Sequence, residues 1–375
     1  MLKICGNKFD KNFWLATFSL VGTTIGAGIF SLPYAFAKAG FIIGFIEFTV
    51  LVGVVLLIQQ MLGEITLQTE DKKRLAGLTA SYLGNLWGNL VMASVLFGGA
   101  GTLLIYIILG GGFLSLIAGL DIFWSSMIFF ALWFVAILVR PRNFGRMEFY
   151  VSSLVIFIIV LVAVFNFGSV NFNNFRGFDI KNSLVPYGVI LFAMTGYSVI
   201  PKMEDLLGGN KHNLKKAIKY GTLIPAIVYL LFVFIILGVS GKLTSPEAIS
   251  GFSQALNSNF IMYAGALLGL LAVAGAALSY GVYFRETLWY DLKLNKNFAW
   301  LITGLIPLSL FIFGARDIIP VVSIVGALFF GFQAFVILLI YKKIKKSKNI
   351  LYYAAGAIML FGAALEVWFS FVPIA

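Results

Sequence analysis

Long apolar runs separated by short polar loops recur along the chain. They predict helices at about 12–38, 41–67, 88–117, 123–139, 148–168, 185–207, 217–240, 255–290, 298–314, 318–341 and 350–371. Crossing ~30 Å of hydrocarbon as a helix takes about 20 apolar residues, and the runs are of that order. The pattern therefore predicts an all-α polytopic membrane protein of about eleven transmembrane helices. No linker or shift of composition divides it, so 1–375 reads as a single transmembrane domain. The eighth run is long, and Arg285, Glu286 and Asp291 predict that its end emerges into water. Between the sixth and seventh runs, Leu207 to Tyr220 holds Lys211, His212, Asn213, Lys215, Lys216 and Lys219. That segment reads as a short basic helix lying at the membrane surface.

Two runs are interrupted. The first contains Val21-Gly22-Thr23-Thr24-Ile25-Gly26-Ala27-Gly28-Ile29-Phe30, and each glycine costs a helix about 1 kcal/mol against alanine. Irregular backbone survives at membrane depth only where it lines a cavity or is buried in protein. Residues 22–28 thus read as an unwound joint whose free amides and hydroxyls face a substrate. Close helix packing is the other reading, because Gly22-x-x-x-Gly26 fits the small-xxx-small pattern. The sixth run is broken by Thr195-Gly196-Tyr197-Ser198, with Pro201 one turn later. Lacking an amide, Pro201 is expected to free carbonyls near Tyr197. Helices 1 and 6 hold matching places in two five-helix halves, about 12–168 and 185–341, with 350–371 as an extra helix. An odd number of spans inverts the second half, and interrupted helices at matching places of an inverted repeat point to a substrate cavity between them.

Charge fixes the expected orientation. The chain is 61% hydrophobic and only 11% charged, against about 25% charged in soluble domains. Its net charge of +12 sits in short loops, which is the pattern that orients membrane proteins rather than one that binds nucleic acid. With the N-terminus inside, the inner segments hold Lys3, Lys8 and Lys11; Lys72, Lys73 and Arg74; Arg140, Arg142 and Arg146; and Lys202, Lys211, Lys215, Lys216 and Lys219. Arg285, Lys293 and Lys296, then Lys342, Lys343, Lys345, Lys346 and Lys348, bring the inner total to 22, against Arg176, Lys181, Lys242 and Arg316 outside. Lys38 lies at the outer end of helix 1. The expected location is a cell membrane, the inner or plasma membrane of a prokaryote, with the C-terminus outside.

Cys5 is the single cysteine and His212 the single histidine, so neither an internal disulfide nor a metal or haem site is expected. Lys3, Lys8 and Lys11 before an apolar run, with Ala35-Phe36-Ala37 after it, imitate a secretory leader. The run is too long and too glycine-rich for that, and it reads as a mature helix. A membrane enzyme is disfavoured by the lack of G-x-S-x-G, H-E-x-x-H and P-loop sequences. A channel should carry filter repeats or charge rings, and neither is visible.

The stretch Gly-Thr-Thr-Ile-Gly-Ala-Gly-Ile-Phe-Ser-Leu-Pro at 22–33 resembles the helix 1 signature of the amino acid/auxin permeases and the related bacterial aromatic amino-acid permeases. These belong to the amino acid–polyamine–organocation superfamily, which has the leucine-transporter fold. Leu191-Phe192-Ala193-Met194-Thr195-Gly196-Tyr197 and Val199-Ile200-Pro201 resemble their helix 6 motif; Tyr106 and Gly110-Gly111-Gly112 are similar to a helix 3 feature. The resemblance implies a secondary active amino-acid transporter working by alternating access. It also implies that amides at Gly22, Thr23, Thr24, Gly26, Ala27 and Gly28 hold a substrate carboxylate, at the positive end of a half-helix. Carbonyls near Phe192, Ala193 and Thr195 would receive the ammonium, Gly196 would leave room for a side chain, and Tyr197 and Tyr106 would line or close the pocket. No charged residue falls at either break.

Sodium-coupled relatives carry two hydroxyl residues on helix 8, where this chain aligns Gly275 and Ala276; only Ser279 offers a hydroxyl nearby. Proton coupling is thus the favoured expectation, with sodium coupling, exchange or another small organic solute as alternatives. Ionisable groups in or near spans are Glu47, Glu64, Glu148, Glu204, Asp205, Asp317 and Glu366. Such groups are functional candidates by default. Glu64 is expected to pair with Arg74 or a neighbouring base, in a gate or proton path. Glu204 and Asp205 suit solvated ion pairs, and Glu366 suits lateral packing or an oligomer contact. The partners expected are a small-molecule amino acid and the bilayer; the substrate side chain and oligomeric state stay open.

Overall fold

The computed structural model describes residues 11–69, 74–138, 144–345 and 350–371. Lys3, Cys5, Lys8, Lys72, Lys73, Arg140, Arg142, Lys346 and Lys348 lie outside the described residues, as do the side chains of Arg146 and Glu148. The described residues are helical, without strands. The first span is α1 (Lys11–Thr24) and α2 (Gly28–Ala39), bent by 54° at the glycine-rich joint. It is followed by α3 (Phe41–Thr66), α4 (Leu75–Leu83), α5 (Asn85–Ala118), α6 (Ile122–Ala136) and α7 (Phe144–Asn166). A second interrupted pair is α8 (Val185–Met194) and α9 (Ile200–Leu206). The remainder is α10 (Lys211–Ser240), α11 (Ile249–Ala255), α12 (Asn259–Glu286), α13 (Lys296–Ile312), α14 (Ile318–Ile324), α15 (Gly331–Lys345) and α16 (Ile350–Phe371). Among the described residues, six helical stretches are long and apolar enough to cross a bilayer, and the bent α1–α2 pair makes a seventh.

Local chemistry sets the ends of these helices. Gly40 joins α2 to α3 at φ 93°, and a β-carbon there would lie 2.1 Å from the Gly177 carbonyl oxygen, so only glycine fits. Side-chain caps begin α6 (Asp121 accepting from the Phe123 amide, 2.9 Å), α10 (Asn210 accepting from Asn213, 3.1 Å) and α12 (Ser258 accepting from Ile261, 3.4 Å). The central post is α5, buried along most of its length and packed on α4, α6 and α12. By contrast α7 and α12 leave much of their apolar surface outward, as suits a face turned to lipid.

Several expectations are corrected. The basic stretch 207–220 is not a separate surface helix: from Lys211 onward it forms the first turns of one 30-residue helix, α10. Nothing between Lys219 and Leu223 breaks the helix, so its polar N-terminus simply projects beyond the apolar part. The eighth span starts at Asn259 rather than 255, because Ala255 ends the unforeseen α11 and Asn257 turns the chain at φ 48°. The short α4 was not foreseen either. Arg285 is not in water but 4% exposed, and its Nη1 donates to the Ile137 carbonyl, 2.5 Å away, at the negative end of α6. Pro201 occupies the first turn of α9, where no amide is needed, and so starts a helix instead of kinking one.

Candidate functional site

At the first break the helical ladder stops at the Ile25 amide, which donates to Val21 at 2.8 Å. The irregular residues are Ile25, Gly26 and Ala27, a narrower joint than 22–28. Thr23 and Thr24 fall in the last turn of α1, so their amides point back along that helix rather than outward. Their hydroxyls are also taken, donating to the carbonyls of Ser19 and Leu20 at 2.8 Å each. The Gly26 amide faces the Tyr229 phenol oxygen, so the open amides among the described residues belong to Ala27 and Gly28, where α2 begins. Gly28 is indispensable to the packing: a β-carbon there would lie 2.6 Å from the Ala193 α-carbon.

The second break runs from Thr195 to the 3-10 turn Tyr197–Val199. Of the carbonyls left at the end of α8, Leu191 accepts from the Thr195 hydroxyl (2.6 Å) and Met194 from Gln59 Nε2 (3.3 Å). Tyr229, fully buried in α10, places its hydroxyl 2.5 Å from the Thr24 carbonyl oxygen and 3.3 Å from that of Ala193. One phenol thus ties the end of α1 to the end of α8. Gln59 is locked in turn, since Thr222 donates to its Oε1 at 2.6 Å. The carbonyls of Phe192 and Thr195 have no such partner among the described residues.

The two breaks face one cavity. Thr23, Thr24, Gly26, Ala27, Gly28, Tyr106, Phe192, Thr195 and Tyr197 line it. Gly22 and Ser279 line an adjoining space with Ala276, toward the ends of α9 and α12. Ala193 and Gly196 lie behind the lining. At Gly196 the position of a β-carbon is taken by Leu20, 2.4 Å away, and by Thr24 at 3.2 Å, so this glycine makes room for α1 and not for a substrate side chain. Tyr197 Oη is buried with no hydrogen-bond partner among the described residues.

A family model described as the tryptophan/tyrosine permease family matches residues 10–369. The chain belongs to the tryptophan/tyrosine permease family. No curated protein matches its sequence. Among solved structures, the permease is similar to MhsT in complex with L-phenylalanine, with TM-score 0.68 and 13% identity over 95% of this chain and 97% of that one. It is also similar to a histidine-to-alanine mutant of the Eremococcus coleocola manganese transporter, with TM-score 0.62 and 14% identity over 100% and 91% of the two chains. These likenesses establish the leucine-transporter fold, and family membership makes the chain a multi-pass amino-acid permease rather than an enzyme.

Sequence reasoning missed several residues around the permease cavity. Arg74 enters it from the α3–α4 loop; Nη1 lies 2.9 Å from Thr287 Oγ1 and 3.1 Å from Asp291 Oδ2, and Nη2 3.7 Å from Glu286 Oε2. A π-helical turn at Thr287–Asp291 brings these partners together. Glu64 consequently does not pair with Arg74. Its carboxylate accepts from the Tyr341 hydroxyl at 3.0 Å and faces Lys345 at 3.7 Å and Lys211 at 3.9 Å, joining α3, α15 and α10 away from the cavity. Gln333, Thr102, Ser198, Tyr280 and Tyr283 add to the polar lining. The one signal that could have found Gln59 and Gln333 is an amide side chain inside an apolar run. On the α2 side, Phe30 packs on Phe113 (centroids 4.9 Å apart) and Phe232 (6.1 Å), closing that end with aromatic rings.

Proposed function

We propose that this permease moves aromatic amino acids across the cell membrane by alternating access, coupled to protons. The observation that carries the reading is the pairing of the two breaks by Tyr229. It sets the open amides of Ala27 and Gly28 and the carbonyls of Phe192 and Thr195, unpaired among the described residues, on one cavity. Amides at the start of α2 suit a carboxylate, because a helix N-terminus carries about half a positive charge. Carbonyls at the end of α8 suit an ammonium. Among the described residues a zwitterion is matched without an acidic side chain, and the only charged residue in the lining is Arg74. That lining does not suit a divalent cation, which takes carboxylate, imidazole or thiolate ligands. The aromatic walls Phe192, Phe330, Tyr106 and Tyr280 and the family membership support a ring-bearing substrate.

Alternating access would rock the halves 12–168 and 185–341 about this site, with 350–371 outside the repeat. In this reading the N-terminus is cytoplasmic, and the spaces beside Arg74, Lys202 and Glu286 are the cytoplasmic approach. Phe30, Phe113 and Phe232 form the barrier to the outside. Proton coupling is supported by the helix 8 positions Gly275 and Ala276, which supply no side-chain oxygen for sodium. The test is uptake of labelled tryptophan and tyrosine into liposomes under an inward proton gradient without sodium. Accumulation that a protonophore abolishes is expected. A requirement for sodium would overturn the coupling, and no uptake or exchange of any amino acid would overturn the function.

A further inference from the structure

The cavity has a polar reader at a distance from the two breaks. Gln333, in the first turn of α15, is 6% exposed and lines the cavity. Its Nε2 lies 3.2 Å from Ser94 Oγ on α5, and Ser94 Oγ lies 3.0 Å from the Phe329 carbonyl oxygen. The hydrogen bonds of Ser94 orient the amide. A carbonyl only accepts, so the single hydroxyl proton of Ser94 goes to Phe329, and Ser94 can meet Gln333 only as an acceptor. In this arrangement the nitrogen of Gln333 faces Ser94, and the amide oxygen points away from it. That oxygen has no hydrogen-bond partner among the described residues, yet it is not a sealed orphan, since it is absent from the buried atoms that lack partners. It is an acceptor open to the cavity.

The surroundings say what it would accept from. Phe330, one turn before Gln333, lies in a π-helical turn, Val325–Phe330, and π turns recur at functional sites. Its ring stacks on Phe192 at 6.0 Å and 11°. The cavity thus has an aromatic wall that runs from the second helix break to the Gln333 amide and its acceptor oxygen. Resting on the amino-acid reading above, we propose that Gln333 is a specificity-determining residue. Its amide oxygen accepts a hydrogen bond from a donor on the substrate ring, so amino acids with an indole N–H or a phenol O–H are preferred over a bare phenyl. Ser94 is a positioning residue that holds the amide in this orientation.

The test is displacement of labelled tryptophan from the purified full-length protein by unlabelled tryptophan, tyrosine and phenylalanine. Wild type should favour a ring donor over phenylalanine by about tenfold or more, since a site built to pair a substrate donor discriminates against the analogue lacking it. Gln333→Met, close in shape but with no acceptor, should lose that preference and keep phenylalanine affinity within about twofold. Ser94→Ala should reduce the preference without abolishing binding. A preference unchanged in Gln333→Met overturns the inference and leaves the amino-acid function standing. If Gln333→Met binds nothing, an unchanged preference in Ser94→Ala overturns it. Wild type that binds none of the three would overturn the function itself, and this inference with it.

Discussion

Tyr229→Phe removes one oxygen atom from a residue that is otherwise kept whole, at the point where the two interrupted helices meet. The lost hydroxyl serves the Thr24 carbonyl at 2.5 Å and stands 3.3 Å from Ala193. Thr24 is 4% exposed and Ala193 2% exposed, so water has little room to replace it. Leaving a buried acceptor unsatisfied costs about 1–3 kcal/mol. The cost falls on the joint, whose geometry must be restored whenever substrate binds. Substrate affinity should therefore drop by about 5- to 150-fold, the equivalent of about 1–3 kcal/mol. The assay is equilibrium binding of labelled tryptophan to purified protein, with the melting temperature measured in parallel on the same preparations. The ring keeps its packing, so the variant should still purify as a single species. Affinity within twofold of wild type would refute the idea that this phenol holds the breaks in register.

Gly28→Ala should abolish uptake, because its β-carbon would press on the Ala193 backbone at 2.6 Å. Gly196→Ala should cost less, because Leu20 is a side-chain end that can shift; overpacking of this kind costs about 1–3 kcal/mol, and initial uptake rates rank the two. Gln59→Leu and Thr222→Val should each weaken binding, and the double variant should fall short of their sum by about 0.5–3 kcal/mol, as residues in one hydrogen-bond network do. Arg74→Gln should speed thiol labelling at Ser198→Cys by a modest factor, since partly exposed ion pairs are worth about 1 kcal/mol or less. In the exposed loop before α8, the Asn182 side chain holds the Asp179 carboxyl below its usual range, with the backbone amides of Lys181 and Asn182 adding to this. That stabilisation is present at neutral pH and is lost as pH falls through the lowered value. Asn182→Ala should move the Asp179 titration back up, as read by NMR of labelled aspartate carboxyl carbons.

The two breaks were legible because glycine and polar residues are conspicuous in an apolar run. Gly26 and Thr195-Gly196 fall within the breaks, and Gly28 starts the helix that follows the first. The groups that fix the breaks in space were not legible. Tyr229 sits in an apolar run where a phenol reads as one more aromatic, and its role exists only because α10 passes both carbonyl ends. The same holds for Gln59 with Thr222. Gly196 was misread because a small residue signals that something comes close, and not what comes close; here it is Leu20. Arg285 was placed in water by its charge, since its acceptor at Ile137 lies 148 residues away in the chain. Local signals fix where helices stop, whereas pairings between distant residues decide what the stops face.

The groups that the breaks turn toward the cavity belong to the main chain. Short of a change to proline, no substitution deletes an amide there, none deletes a carbonyl, and neither group gains or loses a proton at any pH a cell meets. If the head of the substrate is held by them, binding of the head should be indifferent to pH, and any acid dependence of uptake must arise elsewhere in the molecule. The ring end is different, because Gln333 is encoded by one triplet. If Gln333 reads the ring as proposed, a point change there would alter which rings are taken while the grip on amino acids as a class stays with the bend itself.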